Sequence, residues 1–272
     1  MAESVHIGLM QATEIAQQSD LRQSSNGVRY TAFGENNLES ADLDRIVQAV
    51  PASIAAALGK KAYYFVPLAL VGKPSATAEG HGEKAEAAGS AGDEDTLIAT
   101  TYTAELSDRA ICHRNVRLGS IDGVFISTRL LADRFALAFE FFINVGHAFV
   151  DIVGIPQSFA DVAWAQAIAD VRGETSQDAW ESRALSLVKD GAGDSKPRID
   201  EKAKNEFLDA ALSDAIAIYL LSLAIDLEYA ELRERDYPLL APQALAERLR
   251  SVARLFPPNP GYEFAIRYRR RR

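Results

Sequence analysis

Hydrophobic side chains recur along this chain in two rhythms, and the rhythm changes near residue 130. Before that point, short apolar runs rich in Val, Ile, Tyr and Phe sit between clusters of Gly, Ser and Asn, the pattern of strands and turns. Residues 27–33, 61–71, 96–103, 109–118 and 124–128 are the strand candidates, and the last four of these predict a sheet of about four strands. Residues 3–22 allow a helix. Residues 41–58 read as a helix that ends at Gly59 and is kinked or split by Pro51. Pro67 falls inside the strand candidate KKAYYFVPLALV, so it predicts a bulge or a sheet edge there.

After residue 130 the spacing becomes helical. Helices are expected over 131–153, 158–171, 176–188, 201–234 and 242–256. Thr175 and Asp178 have capping-box spacing at the start of the third. The linker 189–198 holds Gly, Asp, Ser and Pro. PPNPG at 257–261 stops the last helix, and 262–268 alternates as one more strand would. There is no internal repeat. The class expected is α+β, with a small, mostly antiparallel N-terminal sheet packed against a C-terminal helical bundle. The division expected is residues 1–130 and 131–272, either as two parts or as one continuous domain.

Composition changes this picture at three places. Residues 73–95 contain Ala, Gly, Ser and Glu but no large apolar side chain, so they are expected to form a mobile acidic loop. His81 within it has nothing rigid to hold it as a ligand. Arg267, Arg269, Arg270, Arg271 and Arg272 make a basic tail on a chain of net charge −9. That tail is either a solvated end or a contact for an anionic ligand or protein partner, while the acidic body disfavours a general nucleic-acid surface. The single cysteine, Cys112, excludes an intrachain disulfide and a cysteine-rich zinc site. It reads as a small core residue rather than a nucleophile. The N-terminus lacks a signal-peptide pattern. The most apolar runs, near 135–150 and 212–227, are short for a membrane span and carry carboxylates. A soluble cytoplasmic protein is the expectation.

The candidate chemistry lies on the helix at 131–153. At about 100° per residue, Asp133, Glu140, Asn144, His147 and Asp151 fall within a band of roughly 60°. The remaining circumference is almost wholly apolar, which predicts burial. Buried carboxylates and imidazoles are costly unless paired or metal-bound. Glu140, His147 and Asp151 are therefore the catalytic candidates. Asp151 is placed to fix the tautomer of His147, and Asn144 to orient a substrate. With His113 from the neighbouring strand candidate, the same three residues make a possible divalent-metal set. On that strand His113 and Asn115 face one way, and Cys112 and Arg114 the other. The long helix offers Asp214 and Glu228, within about 40° of each other, as further groups for a metal or for arginines such as Arg129 and Arg134.

The plainer alternatives are a solvated strip or a buried hydrogen-bond network that fixes helix packing. The chain has no HExxH, no glycine-rich phosphate loop and no GxSxG, and no RNA-recognition strand signature. Trp164 and Trp180 read as core anchors. Two functions follow as expectations. One is an enzyme with a Glu/His/Asp polar site, divalent-metal-dependent or not. The other is a non-catalytic subunit or interaction module, with nucleic-acid contact through the arginine tail as a lesser option.

Overall fold

In this computed structural model, residues 8–36, 38–71, 96–132, 135–188, 198–225 and 237–266 are described. Their elements give an α+β fold, the class the hydrophobic rhythm predicts. The acidic stretch 73–95, Asp133, Arg134, Asp226, Glu228 and the tail 267–272 lie outside the described residues. By internal packing the chain forms two units, Met1–Val47 with Gly59–Glu140, and Gln48–Leu58 with Phe141–Arg272.

The first unit contains β1 (Leu9–Gln11), α1 (Ala12–Gln18), β2 (Arg22–Gln23), β3 (Arg29–Ala32) and α2 (Ser40–Gln48). It continues with β4 (Lys61–Val66), β5 (Leu68–Leu70), β6 (Leu97–Ala99), α4 (Ala104–Ser107), β7 (Ala110–Ile111), β8 (His113–Leu118) and β9 (Ile121–Ser127). The helix α3 (Ala52–Ala57) follows α2 in the chain but packs in the other unit. Pro51 is the residue at which the single helix expected over 41–58 breaks into α2 and α3.

The strands form two sheets where the sequence suggested one. The orders are β2-β3-β4-β9-β8 and β1-β6-β5-β7. Pro67 explains the division. It has no N–H to give a ladder, and on either side of it the chain serves a different sheet, β4 before it and β5 after it. Pairing is antiparallel except where β4 runs parallel to β3 and β9. β4 is buried from Ala62 to Val66, as a parallel central strand should be. Tyr64 of β4 stacks on Phe125 of β9 with ring centroids 4.6 Å apart, inside a core that includes Ile15, Val66, Ile98 and Val116.

The second unit is helical. It comprises α3, most of α5 (Ala136–Val153), α6 (Gln157–Ile168), α7 (Gln177–Ser186), α8 (Glu201–Ala224) and α9 (Pro242–Leu255), with the short pair β10 (Leu187–Val188) and β11 (Arg198–Ile199). Local chemistry sets the ends. The Asp200 carboxylate caps α8 by accepting from the Ala203 amide at 3.0 Å, and Pro242 opens α9. α7 begins one residue later than its capping-box spacing implied. Ser176 is the cap, accepting from the Ala179 amide at 3.2 Å, while Thr175 turns its hydroxyl to Asp214. Residues 262–266 are irregular rather than a strand. Their neighbour Asn259, in PPNPG, is occupied with α3. Its amide nitrogen donates to the carbonyls of Gln48 and Val50 at 2.9 and 2.7 Å, and its oxygen accepts from the Ala52 amide at 2.9 Å.

α5 and α8 approach closely at Gly146. A Cβ there would lie 2.6 Å from the Ser213 carbonyl oxygen, so only glycine permits this packing. Both helices are long and apolar enough to cross a membrane by length and composition, which corrects the reading of those runs as too short. In α8, 78% of the apolar window is buried inside the protein.

Candidate acid-base site

The polar line of α5 divides at the boundary between the two units, and its members meet different surroundings. Asp133 is outside the described residues. Glu140 is partly buried, Asn144 is buried at 8% exposure, and His147 and Asp151 are exposed. The expectation that the whole line is buried fails for the last two. Leu137, Phe141, Phe142, Val145, Phe149 and Val150 are enough to seat the helix, and the narrow arc left over opens to water from His147 onward.

At the Glu140 end the line gains a partner from the sheet. His113 is the first residue of β8, held opposite Ile126 of β9. Its Nδ1 lies 2.5 Å from Glu140 Oε1, with the side chains 37% and 17% exposed. Glu140 is the one hydrogen-bond partner of His113 among the described residues. A carboxylate on Nδ1 fixes the neutral ring as the Nδ1–H tautomer and leaves Nε2 as a bare base.

Ser127 holds the strand at this point. Its hydroxyl donates to the Ile111 carbonyl at 2.5 Å and accepts from the Ala69 amide at 2.8 Å. Its own amide donates to the Cys112 carbonyl at 2.9 Å. One fully buried side chain thus joins β5, β7 and β9 just before His113.

Cys112 lies in the break between β7 and β8 and is exposed, which corrects its reading as a core residue. Although the residue is exposed, partial desolvation of its sulfur and the Glu140 charge push the thiol pKa up, against the opposing charge and hydrogen bond of Arg129. The thiol therefore stays protonated near neutrality. Arg129 also donates to the Ser107 carbonyl at 3.3 Å. Glu140, His113, Cys112 and Arg129 form one small polar neighbourhood.

The other half of the line meets α8. Asp209 is pushed up by partial burial and by the charges of Asp151 and Glu206, with His147 opposing. Asp214 is buried at 6% exposure and accepts a hydrogen bond from the Thr175 hydroxyl at 2.8 Å. Among the described residues, no three His, Cys, Asp or Glu side chains gather in a group fit to hold a metal ion. The expected set of Glu140, His147, Asp151 and His113 is thus not assembled as one group. His113 joins Glu140, and His147 faces the acids of α8.

The largest polar feature escaped the sequence reading. Glu174 and Arg248 are both fully buried. Arg248 Nη1 donates to Glu174 Oε2 at 2.8 Å and Nη2 to Oε1 at 3.2 Å. Its Nε donates to Gln166 Oε1 at 2.8 Å. Arg183 adds a third donor to Glu174, at 2.9 Å, and also reaches the Gly173 carbonyl at 3.1 Å. Glu174 accepts three charge-assisted bonds from two guanidinium groups while fully buried, which is the arrangement of a structural cluster. A signal did exist. Arg248 lies on the same helical face as Leu245, Leu249 and Val252, a position that a solvated arginine would avoid. Trp164 and Trp180 are half-buried rather than core anchors, with Lys204 Nζ 5.0 Å from the Trp164 ring centroid.

Comparison of the chain with family models, curated proteins and solved structures yields no match.

Proposed function

We propose that the protein is an enzyme of the acid-base type, with His113 as the proton-transferring group and Glu140 as the residue that orients it. The observation that carries this reading is the 2.5 Å pairing of His113 Nδ1 with Glu140 on a side chain that stays 37% exposed. In such a pair Nε2 takes a proton from a substrate hydroxyl or a water molecule. The positive charge that develops on the ring is offset by the carboxylate behind it. The Cys112 thiol, with its pKa pushed up, stays protonated and is a poor base near neutrality. His147 and Asp151, open to solvent on the other unit, have no part in this step.

The test compares wild type, His113→Gln, Glu140→Gln and His147→Gln incubated with a small-metabolite extract, with consumption followed by mass spectrometry. Wild type and His147→Gln should consume the same compound. His113→Gln should slow its loss by about 10²–10⁴-fold, and Glu140→Gln by a smaller factor. Consumption by His113→Gln at the wild-type rate would overturn the proposal. So would no consumption by wild type, in which case the pair is a link between strand and helix and the interaction-module reading takes its place.

A further inference from the structure

The neighbourhood of the proposed base also holds a cation that no carboxylate clamps. Arg129 lies in the short 3-10 helix Thr128–Ala132 that follows β9, and it is half-buried. Its Nη1 donates to the Ser107 carbonyl at 3.3 Å, and its side chain is hydrogen-bonded to Cys112. It forms no ion pair among the described residues. Arg117, Arg183 and Arg248, by contrast, are each set against a carboxylate. A guanidinium carries about five N–H donors in a planar fork and keeps its charge at any ordinary pH. Bonds to a carbonyl and a thiol leave that charge without a counter-ion.

Backbone pairing ties this cation to the base. His113 stands opposite Ile126, and Arg129 follows three residues later. Cys112 sits in the bend directly before His113, with its carbonyl held by the Ser127 amide, and its thiol feels the charges of both Glu140 and Arg129. We infer that Arg129 anchors an oxyanion, a carboxylate or a phosphate group, on the substrate that His113 deprotonates. The inference rests on the acid-base reading of the His113–Glu140 pair. Arginine holds such groups through two parallel N–H···O bonds, and partial burial strengthens the attraction over its value in bulk water. A neutral substrate that covered Arg129 would strip water from the guanidinium and supply no charge in return.

The test needs no turnover. Cys112 is the only thiol of the chain and is exposed, so its alkylation by neutral iodoacetamide reports on Arg129 beside it. An anion seated on Arg129 covers the thiol and cancels the charge that favours the thiolate. Rates are compared for wild type, Arg129→Gln and His113→Gln in chloride, with inorganic phosphate or acetate exchanged for it at constant ionic strength. In wild type and His113→Gln at least one of the two anions should slow alkylation saturably, by about threefold or more. Phosphate as the effective anion supports a phosphoryl group on the substrate, and acetate supports a carboxylate. Arg129→Gln should show no saturable slowing. Its absence in wild type with both anions would overturn the inference, as would equal slowing in Arg129→Gln. If Arg129→Gln does not fold, the Arg129 Nε–H resonance of wild type decides: a saturable shift on adding anion supports the anchor, and no such shift overturns it. Anion binding that persists while His113→Gln consumes metabolite at the wild-type rate would sink the acid-base reading and leave the anion site standing. Wild-type consumption confined to compounds without an oxyanion would sink the anchor alone.

Discussion

Replacing Arg248 with alanine is expected to cost about 3–5 kcal/mol, because it leaves the fully buried Glu174 carboxylate without its bidentate partner. Three charge-assisted or polar bonds are lost at once: Gln166 Oε1 loses its Arg248 donor, and Glu174 keeps only Arg183. Against a total stability of about 5–15 kcal/mol, that is a large fraction of what holds a domain folded. Chemical-denaturation midpoints measure the loss. The double variant Arg248→Met with Glu174→Gln is expected to cost less than the sum of its parts. Removing the Arg248 charge together with that of Glu174 avoids an unpaired buried carboxylate, while Arg183 can still donate to the neutral amide and keeps its 3.5 Å contact with Asp170. An additive double variant would show that the three side chains do not act as a unit.

Gly173→Ala should be nearly as damaging, at about 2–4 kcal/mol. The residue has φ +79, in the left-handed region that glycine tolerates. Its missing Cβ would fall 2.1 Å from the Leu239 carbonyl oxygen, a backbone atom that cannot swing aside. The approach is built by a short ladder. The Glu174 amide donates to Pro238 O at 3.0 Å, Leu240 N to Glu174 O at 3.0 Å, and Ala241 N to Arg172 O at 2.9 Å. The Gly173 carbonyl itself accepts from Arg183. Displacing this backbone therefore disturbs the same charge cluster, so Gly173→Ala and Arg248→Ala are expected to be non-additive. A midpoint for Gly173→Ala within 0.5 kcal/mol of wild type would contradict the tight packing.

Most helices were legible because their signals are local; the one expected over 3–22 is only α1, with β1 and the start of β2 inside the same range. Apolar spacing, Pro242, the acidic cap at Asp200 and the break at Pro51 act within a turn or two of themselves. Sheet membership was not legible. Nothing in KKAYYFVPLALV says that Pro67 sends its two halves to different sheets, since that depends on partners dozens of residues away. The polar line of α5 is real as a line, with Glu140, Asn144, His147 and Asp151 spaced to share a face. Helical geometry gives the direction of a side chain, however, and not what lies opposite. Sequence spacing grouped Glu140 with His147, while tertiary packing gave Glu140 to His113. The Glu174 cluster draws on three separated segments of the chain, and only the apolar neighbours of Arg248 hinted at it.

The central claim is that Glu140 holds His113 in the tautomer a base requires. Long-range 1H–15N NMR of the imidazole nitrogens, at a pH where the ring is neutral, reads this directly. The expected result is a protonated Nδ1 and a bare Nε2 in wild type, with Glu140→Ala shifting the proton toward Nε2. A wild-type ring that carries its proton on Nε2 would contradict the claim.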